Sequence, residues 1–280
     1  NSMPKRNSKP QNKQKTNHNR YAEVIKISNM HRYYYNDYFT GLDINQKQGK
    51  NTVGYTLPNV SERNKAIISH KFVPIGSPLN CFEENQSITT IELEVLYPGL
   101  MVGVGYEHDV SAKESLKGGF SFDYVTGLPY IPGSSVKGVL RNYFPNLKED
   151  EKWTEKDEQK LAYIKGIVEV ESLSKEDIVA LGRSIFEHGD VFLDAFPKVD
   201  TKVDNSGNVL LAMEYITPHT GGEFAEPVPI PFVKIRPGTK MVFSFIFNGD
   251  SGIDKKTLFT TILQDMGIGA KTNVGFGQLK

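Results

Sequence analysis

Four glycines in eleven residues, Gly267, Gly269, Gly275 and Gly277, follow directly on a stretch of helical periodicity near the C-terminus. They constrain the fold because glycine takes positive φ without steric cost and lets another backbone, or a phosphate, come close. The preceding helix is predicted over residues 255–266. Asp254 caps it, and Leu258, Phe259, Ile262, Leu263 and Met266 lie on one side. Gly267 ends it where a left-handed conformation is favoured. Residues 239–247 before the helix and 274–279 after the glycines read as strands. Lys271, Thr272 and Asn273 add one cation and several hydrogen-bonding groups to the run. A structural turn and a phosphate cradle both fit this composition. A nucleotide-binding P-loop does not. Ala270 stands where that motif needs glycine before lysine, and the helix precedes the loop instead of following it.

A second segment, Pro132-Gly133-Ser134-Ser135, opens another helix, predicted to run to about residue 144. Ser134 or Ser135 is expected as its cap, with Val136, Val139, Leu140 and Tyr143 as the buried stripe. Lys137 and Arg141 are four apart and share a face. A helix start of this kind presents unpaired backbone N–H groups and a positive dipole end, which attract phosphate. The alternative is an ordinary capped helix with two solvated cations.

Between these segments, residues 88–97 (ITTIELEVLY) alternate apolar and polar, as a half-buried strand does. Residues 190–196 (DVFLDAF) also read as a strand. The order is then β-α-β-β-α-β, an α+β class with the ferredoxin-like (RRM-like) plan. Hairpins are expected at 100–127 and 205–216, and a helical insertion at about 148–185. Thr154 with Asp157, and Ser174 with Asp177, have capping-box spacing within that insertion. Five prolines make residues 217–238 an irregular excursion. Residues 1–20 form a basic, disordered tail, 21–86 an N-terminal extension, and 87–280 the main domain. Tyr33, Tyr34, Tyr35, Tyr38 and Phe39 cluster beside His31 and Arg32. Such aromatics stack on bases or, more often, pack into a core or a partner.

Over 280 residues the net charge is zero, with pI near 7.2. A free-standing nucleic-acid binder carries a basic excess, so cations here must be clustered or supplied by neighbours. One cysteine, Cys81, rules out an intramolecular disulfide and a cysteine-based zinc site, which fits a cytoplasmic setting. No apolar run approaches a membrane span, and no signal peptide is seen, so no membrane partner is expected. Among His18, His31, His70, His108, His188 and His219, each reads as structural or surface. Asp190 and Asp194, four apart on a strand, share a face and read as a solvated edge. No catalytic residue, metal site or cofactor is assigned.

The pair of motifs, PYIPGSSVKGVLR at 129–141 and the glycine run near the C-terminus, resembles the RAMP superfamily of CRISPR proteins. Size, helical insertion and the ending GIGAKTNVGFGQL are most similar to the sixth-type subunit of type III-B (Cmr) effector complexes. The resemblance implies a non-catalytic scaffold on guide (crRNA) RNA, near its 3′ end, with target RNA cut by another subunit. It implies other RAMP subunits and the small helical subunit of the Cmr complex as partners. It also implies RNA contacts from Ser134, Ser135, Lys137 and Arg141 at the helix start. In the loop, Gly267, Gly269, Lys271, Thr272, Asn273, Gly275 and Gly277 would do the same. Two other readings stay open: a metal-independent RAMP endoribonuclease maturing precursor guide RNA, and a protein-interaction module without RNA contact.

Overall fold

The computed structural model describes residues 25–46, 53–73, 87–103, 112–116, 119–148, 152–170, 172–187, 189–199, 208–216, 229–249 and 252–280. The basic tail at 1–20, Cys81, His18, His108, His188, His219 and the stretch 217–228 lie outside these residues. In chain order, α1 (Met30–Tyr35), β1 (Asp43–Gln46), β2 (Val53–Thr56) and α2 (Val60–Ser69) come first. They are followed by β3 (Ile88–Glu94), α3 (Gly133–Asn142), α4 (Glu155–Val168) and α5 (Lys175–Phe186). Then come β4 (Val191–Phe192), β5 (Phe196–Pro197), β6 (Leu211–Ile216), β7 (Ile230–Ile235), β8 (Lys240–Ile246) and α6 (Lys255–Met266).

The central sheet is antiparallel and built around β8. On one edge β8 pairs with β3 from Ile88↔Ile246 to Glu94↔Lys240, and on the other with β4 and β5. Met241, Phe243 and Phe245 of β8, with Ile91 and Leu93 of β3, point to one face and are buried. This is the period-two pattern visible in the sequence. The predicted strand at 190–196 is divided in two, because Asp194 and Ala195 turn aside to meet residues 131–133. Ile131 and Ala195 exchange backbone hydrogen bonds of 2.9 Å.

Two further expectations are corrected. No strand runs over 274–279. Thr272–Val274 is a 3₁₀ turn, and Gly275 and Gly277 have φ of 92° and 70°, outside the extended region. Only the end returns to the sheet, where Leu279 bridges Val95 and Lys280 exchanges hydrogen bonds with Glu94. Within the supposed irregular passage, β7 pairs along its whole length with β6, placing Pro231 opposite Tyr215. Among the described residues β7 is paired on its other side only at Ile235, with Leu100. The missing proline N–H therefore falls on an edge, where it is tolerated.

Between β3 and β4, α4 and α5 lie where helical spacing was read. Both capping boxes are present: Asp157 accepts from the Thr154 N–H and hydroxyl, and Asp177 from those of Ser174. The tyrosine cluster is core, with Tyr33, Tyr34 and Tyr38 buried beside Met30. The Tyr38 hydroxyl donates to Asn64 Oδ1 at 2.7 Å and accepts the Leu116 N–H at 3.0 Å. Buried Arg63 donates to the carbonyls of Pro58, Asp37, Tyr38 and Thr40 at 2.7–3.0 Å. Its charge is satisfied by peptide dipoles, as a buried cation requires. Among the described residues no helix is long and apolar enough to cross a membrane.

Candidate functional site

An open groove of about 570 Å³ runs between α3 and the glycine-rich loop after α6. One wall is a single face of α3, with Ser135, Gly138, Val139 and Asn142 at i, i+3, i+4 and i+7, extended by Tyr143. The other is Met266–Ala270 with Thr272. Val102, Gly103 and Ile131 complete the lining. The two glycine-containing segments, far apart in sequence, thus face one another across a common space.

The loop wall is held by its glycines. Gly267, Gly269 and Gly277 have φ of 68°, 96° and 70°. A Cβ on Gly277 would overlap the Ile268 carbonyl, one on Gly269 the Met101 carbonyl, and one on Gly267 would lie 2.7 Å from the Gly277 oxygen. Close approach of backbone to backbone is what these positions are for. The loop is then tied down by Ala270 N–H to Met101 O at 2.9 Å and Gly277 N–H to Gly99 O at 2.8 Å. Lys271, exposed and left-handed at φ 61°, opens the 3₁₀ turn. The amides of Gly269, Lys271, Thr272 and Asn273 have no backbone acceptor among the described residues. Gly269 and Thr272 line the groove, and Lys271 and Asn273 flank Thr272 in the chain, so donors and one cation follow one another along this wall.

The α3 wall differs from expectation. Neither serine caps the helix: Pro132 is the N-cap residue, and Ser134 and Ser135 lie in the first turn. The Gly133 N–H is taken by Asp194 Oδ1 at 2.7 Å. Gly133 is there because a Cβ would overlap the Phe192 carbonyl. A carboxylate of the protein therefore already complements the positive end of α3.

Lys137 and Arg141 point away from the groove. Lys137 lies about 200° round the helix from Ser135, at roughly 100° per residue. Its ammonium donates to Phe186 O, at the C-terminal end of α5, at 2.7 Å and lies 5.7 Å from the Phe192 ring centroid. The Arg141 guanidinium donates to Pro145 O at 3.3 Å and lies 5.7 Å from the Phe186 ring centroid. Exposed Ser134 also lies outside the groove lining.

The two carboxylates read as a solvated edge part company. Asp194 is exposed and holds α3, whereas Asp190 is buried. Asp190 pairs with Lys255, itself buried, at 2.7 Å and accepts the Asn248 N–H at 2.8 Å. The outward face of the central sheet holds Glu92, paired with Lys198 at 2.7 Å and Lys240 at 3.0 Å. These two cations hold its carboxyl below the usual range. Of the described histidines, His31 packs between the rings of Tyr35 and Tyr124. His70 packs on Phe72 and is pushed down by burial. Neither lines the groove. Among the described residues no three His, Cys, Asp or Glu come together as a metal would need.

Asn142, Gly138, Val102 and Gly103 were missed as lining, and Val139 and Tyr143, expected in the buried stripe of α3, are half-buried in the groove wall. The spacing of Ser135, Gly138 and Asn142 was a legible signal for one polar helix face. Residues 102 and 103 carried none, since they reach the groove only through the Met101 contact.

The family model of the RAMP superfamily matches residues 92–280. The chain is 25% identical over 202 residues to the CRISPR system Cmr subunit Cmr6 of Pyrococcus furiosus, covering 55% of this chain and 58% of that protein. It is 29% identical over 164 residues to the CMR subunit Cmr6 of Saccharolobus solfataricus, covering 56% of this chain and 46% of that one. The chain thus spans about half the length of the curated relatives it matches. Its fold is similar to a chain in the cryo-EM structure of the type III-B Cmr-beta complex bound to cognate target RNA. The TM-score is 0.51 at 22% identity, covering 79% of this chain and 70% of that one.

Proposed function

The chain belongs to the RAMP superfamily, and from that we propose that it is a non-catalytic, guide-RNA-binding scaffold subunit of a type III-B CRISPR ribonucleoprotein directed at foreign RNA. The observation that carries the proposal is the meeting of the two motif segments across one groove lined by Gly269 and Thr272, whose amides have no backbone acceptor among the described residues, with Lys271 next to Thr272 in the chain. Ser135, Asn142, Gly269, Lys271, Thr272, Asn273 and Gly275 contact the guide backbone. Gly267 and Gly277 hold the loop in position. Lys137 and Arg141 act at one remove, fastening α3 to α5. Contacts to phosphate and sugar carry little sequence information, which suits a protein serving many guides. Other RAMP subunits and the small helical subunit supply the positive charge that a neutral chain lacks. In the same reading Leu279, which meets the sheet only as a bridge to Val95, stands for a fourth strand beside β3–β8–β4/β5, and the domain is of the ferredoxin-like kind.

Binding of labelled single-stranded RNA, followed against salt concentration, tests the assignment. Lys271→Ala is expected to reduce the slope of log affinity against log salt by about 1, the signature of one lost phosphate contact. The double change Lys137→Ala/Arg141→Ala is expected to lower the melting temperature and leave the slope unaltered. Equal slopes for Lys271→Ala and the unaltered protein overturn the groove as the RNA site. Metal-independent, size-defined cleavage of a repeat-containing RNA would overturn the scaffold role in favour of guide maturation.

A further inference from the structure

A second concave site lies on the helical insertion, between the segment leading into α4 and the first turns of α5. Its volume is about 530 Å³, and Lys148, Trp153, Lys175, Val179, Ala180 and Arg183 line it, with Glu176 as the one acid. We propose that this pocket binds a nucleotide of single-stranded RNA, with the base against Trp153 and the Val179–Ala180 wall and its phosphates at the lysines. The proposal rests on the RNA-holding reading above and adds a contact apart from the groove.

Three features favour an RNA nucleotide over an acidic peptide. The volume lies in the range of small-molecule pockets, about 300–1,000 Å³. The lining joins a half-buried indole and two small apolar side chains to Lys148 and Lys175, while Arg183 is held by the Leu147 carbonyl at 2.8 Å. A base needs flat apolar walls and its phosphate needs cations, whereas a carboxylate-rich peptide needs only the latter. The indole is also held ready. Its Nε1–H donates to Asn146 O at 3.1 Å, and the Lys175 ammonium lies 5.0 Å from the ring centroid. The other tie of Lys175 is an ion pair with Glu158, in which both side chains are about half exposed. A pair that exposed contributes little, so a phosphate can replace Glu158 at small cost.

Trp153 is the sole tryptophan of the chain, so its fluorescence reports on this pocket alone. Titrating the full protein with a short oligouridylate is expected to quench the emission about twofold or more at saturation, with a midpoint that rises with salt. Lys175→Ala, an exposed change that leaves folding intact, is expected to raise that midpoint about fivefold. Polyglutamate of matched charge is expected to leave the emission unchanged. Unchanged emission while end-labelled RNA still binds, with its slope reduced by Lys271→Ala, overturns this pocket and leaves the groove standing. Loss of RNA binding by both readouts overturns both. Quenching by polyglutamate equal to that by RNA assigns the pocket to an acidic protein and likewise overturns the proposal.

Discussion

The two walls of the groove carry sequences of similar apparent affinity for phosphate, yet the fold disposes of their donors in opposite ways. On the α3 side, Asp194 takes the first free N–H, and both cations of the motif are spent on carbonyls and rings of neighbouring residues. In the loop after α6, glycine packing fixes the backbone, and the amides of Gly269 and Lys271–Asn273 keep no backbone partner among the described residues. Glycine, serine and lysine together therefore describe a capacity for anion binding. Whether the capacity is free depends on what else reaches the donors.

The sharpest break between the walls is expected from their glycines. Gly277→Ala places a Cβ onto the Ile268 carbonyl at a positive φ. It is expected to cost about 2–4 kcal/mol, seen as a melting temperature lower by roughly 5–10 °C. Gly138 in α3 has open space around it. Gly138→Ala is expected to raise stability by about 0.5–1 kcal/mol. Gly138→Glu should fold as well yet place a carboxylate in the groove, weakening RNA binding about tenfold. A Gly138→Glu protein that binds RNA normally would remove α3 from the RNA surface.

A smaller effect tests the role of Asp194. Asp194→Ala is expected to cost about 1 kcal/mol in chemical denaturation, the worth of a helix N-terminal cap. An unchanged midpoint would mean that α3 is held by its packing alone. The smallest effect is acidic. Asp157, Asp177 and Asp254 lie below the ordinary aspartate value of 3.8, chiefly through the hydroxyls of Thr154, Ser174 and Thr257. A carboxyl with a lowered folded value contributes its stabilisation above the unfolded value and loses it as pH falls through the folded one. Melting temperature is therefore expected to fall below about pH 4. Asp157→Asn should make that fall shallower and lower the plateau at neutral pH.

Local patterns were read well where the cause was local. The helix opened by Asp254 and both capping boxes depend on contacts within three residues, and the structure shows each. Alternation in β3 and β8 follows from burial on one face and was equally legible. Residues 274–279 misled because alternating glycines and apolar residues imitate a strand, whereas positive φ at Gly275 and Gly277 coils the chain. Pro231 misled in the other direction, since its penalty depends on having a second neighbour strand.

Spacing in the chain was enough to establish that a helix follows Pro132, that another precedes the glycine run, and that both runs can offer backbone donors. Distance across the fold settled the rest: which face of α3 meets the loop, that Lys137 turns to Phe186, that Asp194 occupies the start of α3, and that Asp190 seeks Lys255. Backbone preferences act over a few residues and are written in the order of the chain. Charges and close-packed glycines act on whatever the tertiary packing sets within a few ångströms of them, and that order is different.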